Sequence, residues 1–266
     1  MTQDLLTRID GPVATITFNR PEARNAVNQG MLMAMRDFLR SIEDDRSVRC
    51  IVLTGAGEHF QAGGDVMGFK QALESPADAR RKDFEGRVSQ ASSLFLQMER
   101  MRQPLVVKVR GAVAGAALGM VAAGDFAVCA QNSIFILAHV KIGASPDGSS
   151  SYHLPRVLGV RKAKELAILG EKIDAAEALR IGLATHVVPD AELDAWVDKL
   201  VKKICAAPAE SVQRAKLLMD RSPGNTLEQQ LALEAQSFAA CAATDDFIEG
   251  VSAFAEKRPA VFNKPR

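Results

Sequence analysis

The sequence predicts an α/β fold with a helical C-terminal region, and three observations support that class. Strand and helix patterns alternate as far as Val188, glycine-rich stretches follow two of the strands, and only helical patterns come after Asp190. At 266 residues, of which 47% are hydrophobic and 24% charged, the chain is long enough for a core with an appendage. We therefore predict a core over residues 1–190 and a helical region over residues 191–266.

The first elements are recognised by their hydrophobic periodicity. Residues 13–18 alternate β-branched side chains with others, which predicts a strand, and residues 50–53 predict a second one. Between them, apolar side chains recur at helical spacing at Met31, Met35, Phe38, Leu39 and Ile42. The next cycle is predicted to run from a helix over residues 84–102 through strands at 105–109, 126–129 and 134–137.

The region after Asp190 contains four helical patterns, over residues 193–204, 209–219, 226–240 and 245–255. Pro208 and the turn Ser222-Pro223-Gly224-Asn225 separate them. In the last two of these predicted helices, acidic side chains alternate with leucines and phenylalanines, so each helix has an apolar face that must pack on another surface. We predict that the faces dock on the core or on a second copy of the chain.

Composition excludes several classes of partner. With 33 basic and 32 acidic residues, one Trp and one Tyr, the chain offers neither the field nor the stacking surfaces that nucleic acid needs. The uncharged, glycine-rich stretch over residues 111–124 is too short to span a membrane, and the N-terminus has no secretory pattern. Four cysteines lie dozens of residues apart, which is typical of reduced thiols rather than of a metal site. We expect a cytoplasmic protein with no metal, no nucleic acid partner and no membrane partner.

Two glycine-rich segments could bind a carbonyl oxygen. Residues 54–65 follow one strand, and residues 111–120 follow another and open a helix whose free N–H groups would stabilise developing negative charge. Taken singly, the first is better explained as a turn, and the second as a helix face of small residues at Gly111, Gly115 and Gly119. One N–H from each loop would together form an oxyanion hole.

The third segment, residues 142–151, contains the turn Pro146-Asp147-Gly148 followed by serines. An aspartate before a serine-rich helix start is a good N-cap. The local pattern alone therefore favours a structural role for Asp147.

These segments belong to a set of motifs that resembles the crotonase superfamily of enoyl-CoA hydratases and isomerases. In its active-site pattern the chain looks most like the phenylacetate-pathway 2,3-enoyl-CoA isomerase type. The motifs follow one another along the whole chain: residues 19–26 (NRPEARNA), 53–57 (LTGAG), 60–65 (FQAGGD), 111–125, 154–159 (LPRVLG), 175–178 (AAEA) with 182–184 (GLA), and 249–258 (EGVSAFAEKR). The resemblance implies a crotonase-like spiral of ββα repeats whose C-terminal helices close the active site and form a homotrimer or a dimer of trimers. It also implies an acyl-CoA thioester substrate, with coenzyme A as part of that substrate and no separate cofactor.

The resemblance also implies which residues form the site. The oxyanion hole would be made by the backbone N–H groups of Gly64 and Ala116. Coenzyme A would lie along a set that includes both donors: Arg24, Ala26, Ala62, Gly64, Asp65 and Ala116. Many relatives have glycine where Ala116 stands, so alanine suits the role only if its φ and ψ are open to residues other than glycine.

The chain departs from the hydratases of this family at both of their catalytic glutamates. The corresponding positions hold Gly119 and His139. Addition of water needs a proton donor and a proton acceptor, so the two-glutamate mechanism lacks its groups here. We interpret His139 as a hydrogen-bonded packing residue rather than an auxiliary acid or base.

One acid remains: the isomerases place Asp in the stretch that residues 142–147 match, and a 1,3-proton shift needs only one base. We predict that Asp147 moves the proton in the isomerisation of a 3-enoyl-CoA to a 2-enoyl-CoA. An enoyl-CoA hydratase is the alternative. Two further alternatives are a non-catalytic CoA-binding scaffold and an aromatic acyl-CoA dehalogenase, whose histidine is replaced here by Ser92.

Overall fold

The structure is a computed structural model that describes residues 4–264. Its strands are β1 Leu5–Asp10, β2 Val13–Phe18, β3 Cys50–Gly55, β4 Leu105–Val109, β5 Ala112–Ala114, β6 Phe126–Ala130, β7 Ile134–Ile136, β8 Lys172–Asp174 and β9 His186–Val188. Its α-helices are α1 Gln29–Ile42, α2 Val66–Phe69, α3 Ala77–Arg100, α4 Ala117–Ala122, α5 Ser150–Leu158, α6 Val160–Leu169, α7 Ala175–Arg180, α8 Leu193–Ala206, α9 Ala209–Arg221, α10 Leu227–Ala242 and α11 Asp245–Ala255.

Two sheets organise the strands. The larger has the order β1-β2-β3-β4-β6-β9, in which only the β1–β2 pair is antiparallel. The smaller has the order β5-β7-β8, with β5 parallel and β8 antiparallel to β7. Strands joined through helices and lying mostly parallel define an α/β protein, so the predicted fold class is confirmed.

The main sheet is buried on both faces, because alternate residues of a strand point to opposite sides. In β3, Ile51 and Leu53 join the large core that includes Met31 and Met35 of α1. The neighbouring Val52 joins a second cluster on the other face, and α8 supplies most of its cover. This double burial gives β3 its nearly uninterrupted apolar sequence, as is typical of parallel strands.

Most predicted elements are present, with shifted ends. Helix α3 begins at Ala77 rather than at residue 84 and ends at Arg100. Its first turns are rich in charge and mostly exposed, so they carry no apolar stripe for a sequence pattern to detect. The predicted helix through Gly111, Gly115 and Gly119 is wrong: Gly111 and Gly115 have φ of 57° and flank β5, and only Gly119 lies in a helix.

The four C-terminal helices lie close to the residues predicted for them. Helix α8 packs on the main sheet through Leu193, Val197 and Val201. Helices α10 and α11 expose large apolar side chains, among them Leu227, Phe238 and Phe254. The division at residue 190 and the predicted oligomer stay predictions. No helix within residues 4–264 combines the length and the apolar character needed to cross a membrane.

Candidate active site

Two chain segments run side by side and bring Gly64 next to Ala116. Gln61 forms a parallel bridge with Val113, in which the Gln61 N–H donates to the Ala112 carbonyl over 3.1 Å. The segments remain in contact just before these two residues, since a Cβ on Gly115 would lie 3.6 Å from the Gly63 Cα. Within residues 4–264, neither of these two backbone N–H groups donates a hydrogen bond to another residue. The loops thus leave two neighbouring amide donors without a partner, the arrangement that the sequence predicted for an oxyanion hole.

Glycine at positions 63 and 115 allows the two segments to approach so closely. Both residues have positive φ, 92° for Gly63 and 57° for Gly115. A Cβ on Gly63 would lie 3.3 Å from the Ala114 carbonyl oxygen, and a Cβ on Gly115 would lie 3.6 Å from the Gly63 Cα. The backbone of each loop therefore packs against that of the other, which fixes the relative positions of the two amides.

Ala116 has a backbone conformation that suits any residue. Its φ is −58° and its ψ is −21°, within the right-handed helical region, and it lies at the N-cap of α4. Replacing the family's usual glycine by alanine therefore keeps the N–H in place without backbone strain. Ala116 therefore meets the condition that its φ and ψ be open to residues other than glycine.

The residues predicted for coenzyme A come together beside these amides. The Ala62 N–H donates to the Arg24 carbonyl over 3.0 Å, so the segment that starts at Arg24 lies directly alongside the first donor loop. The Ala26 carbonyl accepts a hydrogen bond from the Arg20 guanidinium over 2.9 Å. Arg24 itself is exposed, with a φ of 50°. All six predicted positions thus lie on three adjacent segments, and their contact with coenzyme A remains a prediction.

A buried asparagine that the sequence analysis did not single out supports this region. Asn25 is fully buried, and its amide donates to the Ala56 carbonyl over 2.9 Å and to the His59 carbonyl over 2.7 Å. Its side-chain oxygen accepts from the Arg20 N–H over 2.8 Å. Asparagine tolerates the left-handed φ of 59° that it adopts here. Its place in the motif of residues 19–26 was the only available signal.

The Asp65 carboxylate makes hydrogen bonds within the protein. Its carboxylate accepts a hydrogen bond from the Arg20 guanidinium over 3.0 Å and caps α2 through the Gly68 N–H over 3.3 Å. The hydrogen bond from Arg20 is the main reason that the pKa of Asp65 lies below its usual value. This pair ties the first donor loop to the segment that ends at Val27.

An aromatic side chain lies over the first donor. The Phe69 ring comes within 3.3 Å of the point where a Cβ on Gly64 would lie. Phe69 in turn contacts the edge of Phe84, with 5.1 Å between the ring centroids. The surroundings of the Gly64 amide are therefore apolar on this side, which strengthens any charge–dipole interaction made there.

Asp147 lies at the same place, on the loop before α5. Its carboxylate is 39% exposed, and one of its oxygens lies 2.9 Å from His139 Nε2. The N-cap interpretation of Asp147 is wrong: the Ser150 N–H and hydroxyl bond to the backbone carbonyl of Asp147, and the carboxylate points to His139 instead. Next in sequence, Gly148 packs on Ala116, since a Cβ on Gly148 would lie 2.9 Å from the Ala116 Cα. The acid and the second donor therefore belong to one cluster.

The position of the first hydratase glutamate is closed. A side chain at Gly119 would begin on top of the Gly148 carbonyl oxygen and 2.9 Å from the Ser150 nitrogen. No side chain fits there unless the loop that carries Asp147 moves. The second glutamate position holds His139, whose imidazole lies against Gly115, within 3.8 Å of the point where a Cβ there would be.

Ser92, at the position of the dehalogenase histidine, lies on α3. Its hydroxyl donates to the Val88 carbonyl of its own helix over 2.9 Å.

Residues 4–264 contain no group of three His, Cys, Asp or Glu side chains that could hold a metal ion.

The geometry defines a class of enzyme. Backbone amides that have no partner among residues 4–264 can stabilise a carbonyl oxygen that gains negative charge, and a nearby acid can take or return a proton on a neighbouring carbon. A family model described as enoyl-CoA hydratase/isomerase matches residues 8–265. The chain belongs to this family, the crotonase superfamily, and is an acyl-CoA enzyme of that group. The resemblance stated from the motifs is confirmed.

Individual relatives carry different reaction names. The chain is 31% identical to the 1,2-epoxyphenylacetyl-CoA isomerase of Escherichia coli (strain K12), over 98% of this chain and 99% of that one. It is also 31% identical to the crotonyl-CoA hydratase of Syntrophomonas wolfei, over 98% of both. A crystal structure of an enoyl-CoA hydratase/isomerase from Mycobacterium abscessus matches with a TM-score of 0.91 at 27% identity, covering 98% of this chain and 100% of that one. The crotonase-like fold is therefore confirmed, while the reaction has to be argued from the site.

Proposed function

We propose that this enzyme converts a 3-enoyl-CoA into the corresponding 2-enoyl-CoA, with Asp147 as the base and with Gly64 and Ala116 as the oxyanion donors. The observation that carries the proposal is the Asp147 carboxylate, on a loop that packs on Ala116, together with two backbone amides that have no partner within residues 4–264. The Asp65 carboxylate, by contrast, is bound by Arg20. The acyl-CoA thioester is the substrate class of the family. Its coenzyme A part would follow the segments that contain Arg24 and Ala62.

The reaction proceeds through an enolate of the thioester. Asp147 takes a proton from C2, and the electrons of that C–H bond move toward the carbonyl, whose oxygen becomes negatively charged. The amides of Gly64 and Ala116 stabilise that charge, and each such donor lowers the barrier by about 3 kcal/mol. Asp147 then returns its proton at C4 while the double bond forms between C2 and C3. No atoms are gained or lost, so one base is sufficient.

The closed position at Gly119 favours isomerisation over hydration. A hydratase holds a water molecule between two acids, and one of them would extend from this position. The Gly148 carbonyl fills the space instead. A proton shift needs no such water, so the loss of this glutamate is compatible with isomerisation.

The test is an assay of the purified enzyme with trans-3-hexenoyl-CoA, following formation of the 2-enoyl thioester by absorbance. We expect Asp147→Asn to abolish turnover because the amide cannot accept the proton, while calorimetry shows unchanged binding of the CoA ester. The matched control is Asp44→Asn, which removes an exposed carboxylate from the turn after α1 and leaves turnover intact.

Three results would contradict the proposal. Full activity of Asp147→Asn would show that Asp147 is not the base. Efficient hydration of crotonyl-CoA without isomerisation would establish the hydratase alternative. Binding of CoA esters with no conversion of any acyl group would identify a scaffold protein.

A further inference from the structure

We infer that His139 is a positioning residue that holds the carboxylate of Asp147 in the orientation needed for proton transfer. This inference rests on the proposed function. Its starting point is the distance of 2.9 Å between His139 Nε2 and Asp147 Oδ1. Among residues 4–264, His139 is the one side chain that hydrogen-bonds to this carboxylate.

The backbone and the carboxylate of Asp147 are held by different residues. Ser150 bonds to the Asp147 carbonyl through both its N–H and its hydroxyl, which fixes the main chain at the start of α5. Neither bond restrains the side-chain torsions. With 39% of its side chain exposed, Asp147 without His139 would be free to turn toward water. The imidazole therefore selects one rotamer.

The surroundings of His139 determine which of its nitrogens carries the proton. Its side chain is only 11% exposed, and Nδ1 is buried with no hydrogen-bond partner. An orphaned buried N–H is rarer and costs more than an orphaned lone pair. The neutral tautomer with its proton on Nε2 is the one that lets this nitrogen donate to Asp147 Oδ1 while Nδ1 keeps only an unpaired lone pair. This bond occupies one carboxylate oxygen and leaves Oδ2 to accept the proton from C2.

The imidazole also links the acid to the oxyanion loop. It lies within 3.8 Å of the point where a Cβ on Gly115 would be, and Gly115 precedes the donor Ala116. His139 itself lies on a 3-10 helix over Ala138–Ile142, and the Ala144 N–H bonds back to its carbonyl over 3.0 Å. The imidazole thus lies between the Asp147 carboxylate and the loop that carries Ala116.

The test compares His139→Phe with His139→Gln in the trans-3-hexenoyl-CoA assay. Phenylalanine keeps the bulk and loses the donor, and we expect kcat to fall about 10- to 100-fold with KM changed less than twofold, since misplacement of a reacting group lowers the rate rather than binding. Glutamine can place an N–H near the position of Nε2, so it restores kcat to within about fivefold of wild type. The control is His186→Phe, which removes a histidine of β9 that contacts Thr185 and Trp196, and which leaves kcat unchanged.

A second measurement does not depend on turnover. Nitrogen NMR of the labelled histidines should show His139 with its proton on Nε2, and Asp147→Asn should shift that signal. If His139→Phe isomerises as fast as wild type, or if glutamine fails to rescue a folded enzyme, the positioning role is refuted and the proposed function stands. If the wild-type enzyme does not isomerise while the NMR signals couple as expected, the proposed function fails and the role of the pair in isomerisation fails with it.

Discussion

Replacing Ala116 by proline would delete the N–H that we propose as the second oxyanion donor, with little other change. Proline requires a φ near −65°, and Ala116 already has a φ of −58°. The Ala116 N–H donates to no residue within residues 4–264, so its removal breaks no hydrogen bond of the fold. Ala116 is the N-cap of α4, whose N–H has no intrahelical partner, and Gly115 before it has no Cβ to clash with the proline ring. We therefore expect a folded variant.

The effect on catalysis should be large. Loss of one such donor costs about 2.7–4 kcal/mol of transition-state stabilisation, which corresponds to a kcat about 100- to 1,000-fold lower. The assay is turnover of trans-3-hexenoyl-CoA, with thermal unfolding measured in parallel. Ala116→Gly keeps the N–H and should retain activity within a few-fold. Ala77→Pro, at the exposed first residue of α3, controls for proline at a helix start. A folded Ala116→Pro enzyme within threefold of wild type would refute the assignment of this amide.

Three other predictions concern packing and charge around the site. Gly119→Glu should lower the isomerase rate at least tenfold and give no hydration of crotonyl-CoA, because the new side chain displaces the Gly148 carbonyl. A gain of hydratase activity in the kinetic assay would contradict this prediction. Asn25→Ala should lower the free energy of unfolding by about 3 kcal/mol in urea titrations, because two partly buried carbonyls and one partly buried N–H lose their partner. Asn132→Ala, which loses one exposed hydrogen bond, should change it by less than about 0.5 kcal/mol. Equal effects of the two substitutions would contradict the greater contribution assigned to the Asn25 bonds. Arg20 lowers the pKa of Asp65, so the stability that this pair contributes is complete above the usual pKa of 3.8 and is lost as the pH falls through the lower pKa of the folded state. The difference in unfolding free energy between wild type and Asp65→Asn should therefore shrink below about pH 4. A difference that does not depend on pH would argue against the pairing.

The sequence predicts the elements whose apolar residues face one core. Helix α1 is an example, since Met31, Met35 and Leu39 are all buried on one stripe. It also predicts the glycine loops, because close backbone contact requires small residues. The start of α3 could not be predicted in this way, since its first turns face solvent and nothing about their period is constrained by burial.

The contacts within the site depend on tertiary geometry that no local pattern encodes. His139 and Asp147 are eight residues apart, and the chain between them passes through Gly143, which has a φ of 71°. The motif therefore pointed to Asp147 as the candidate acid, and only the fold shows that His139 contacts it. The closure of the space at Gly119 likewise arises from two segments about 30 residues apart in sequence.

The contact between Gly119 and Gly148 also limits how this enzyme could evolve. A single base change converts some glycine codons into glutamate codons, so the substitution at position 119 is easily reached by mutation. The loop before α5 would have to be rebuilt before such a substitution could be accommodated. A switch of chemistry thus requires several coordinated changes, and the intermediate forms would lose the ancestral activity before they acquired a new one.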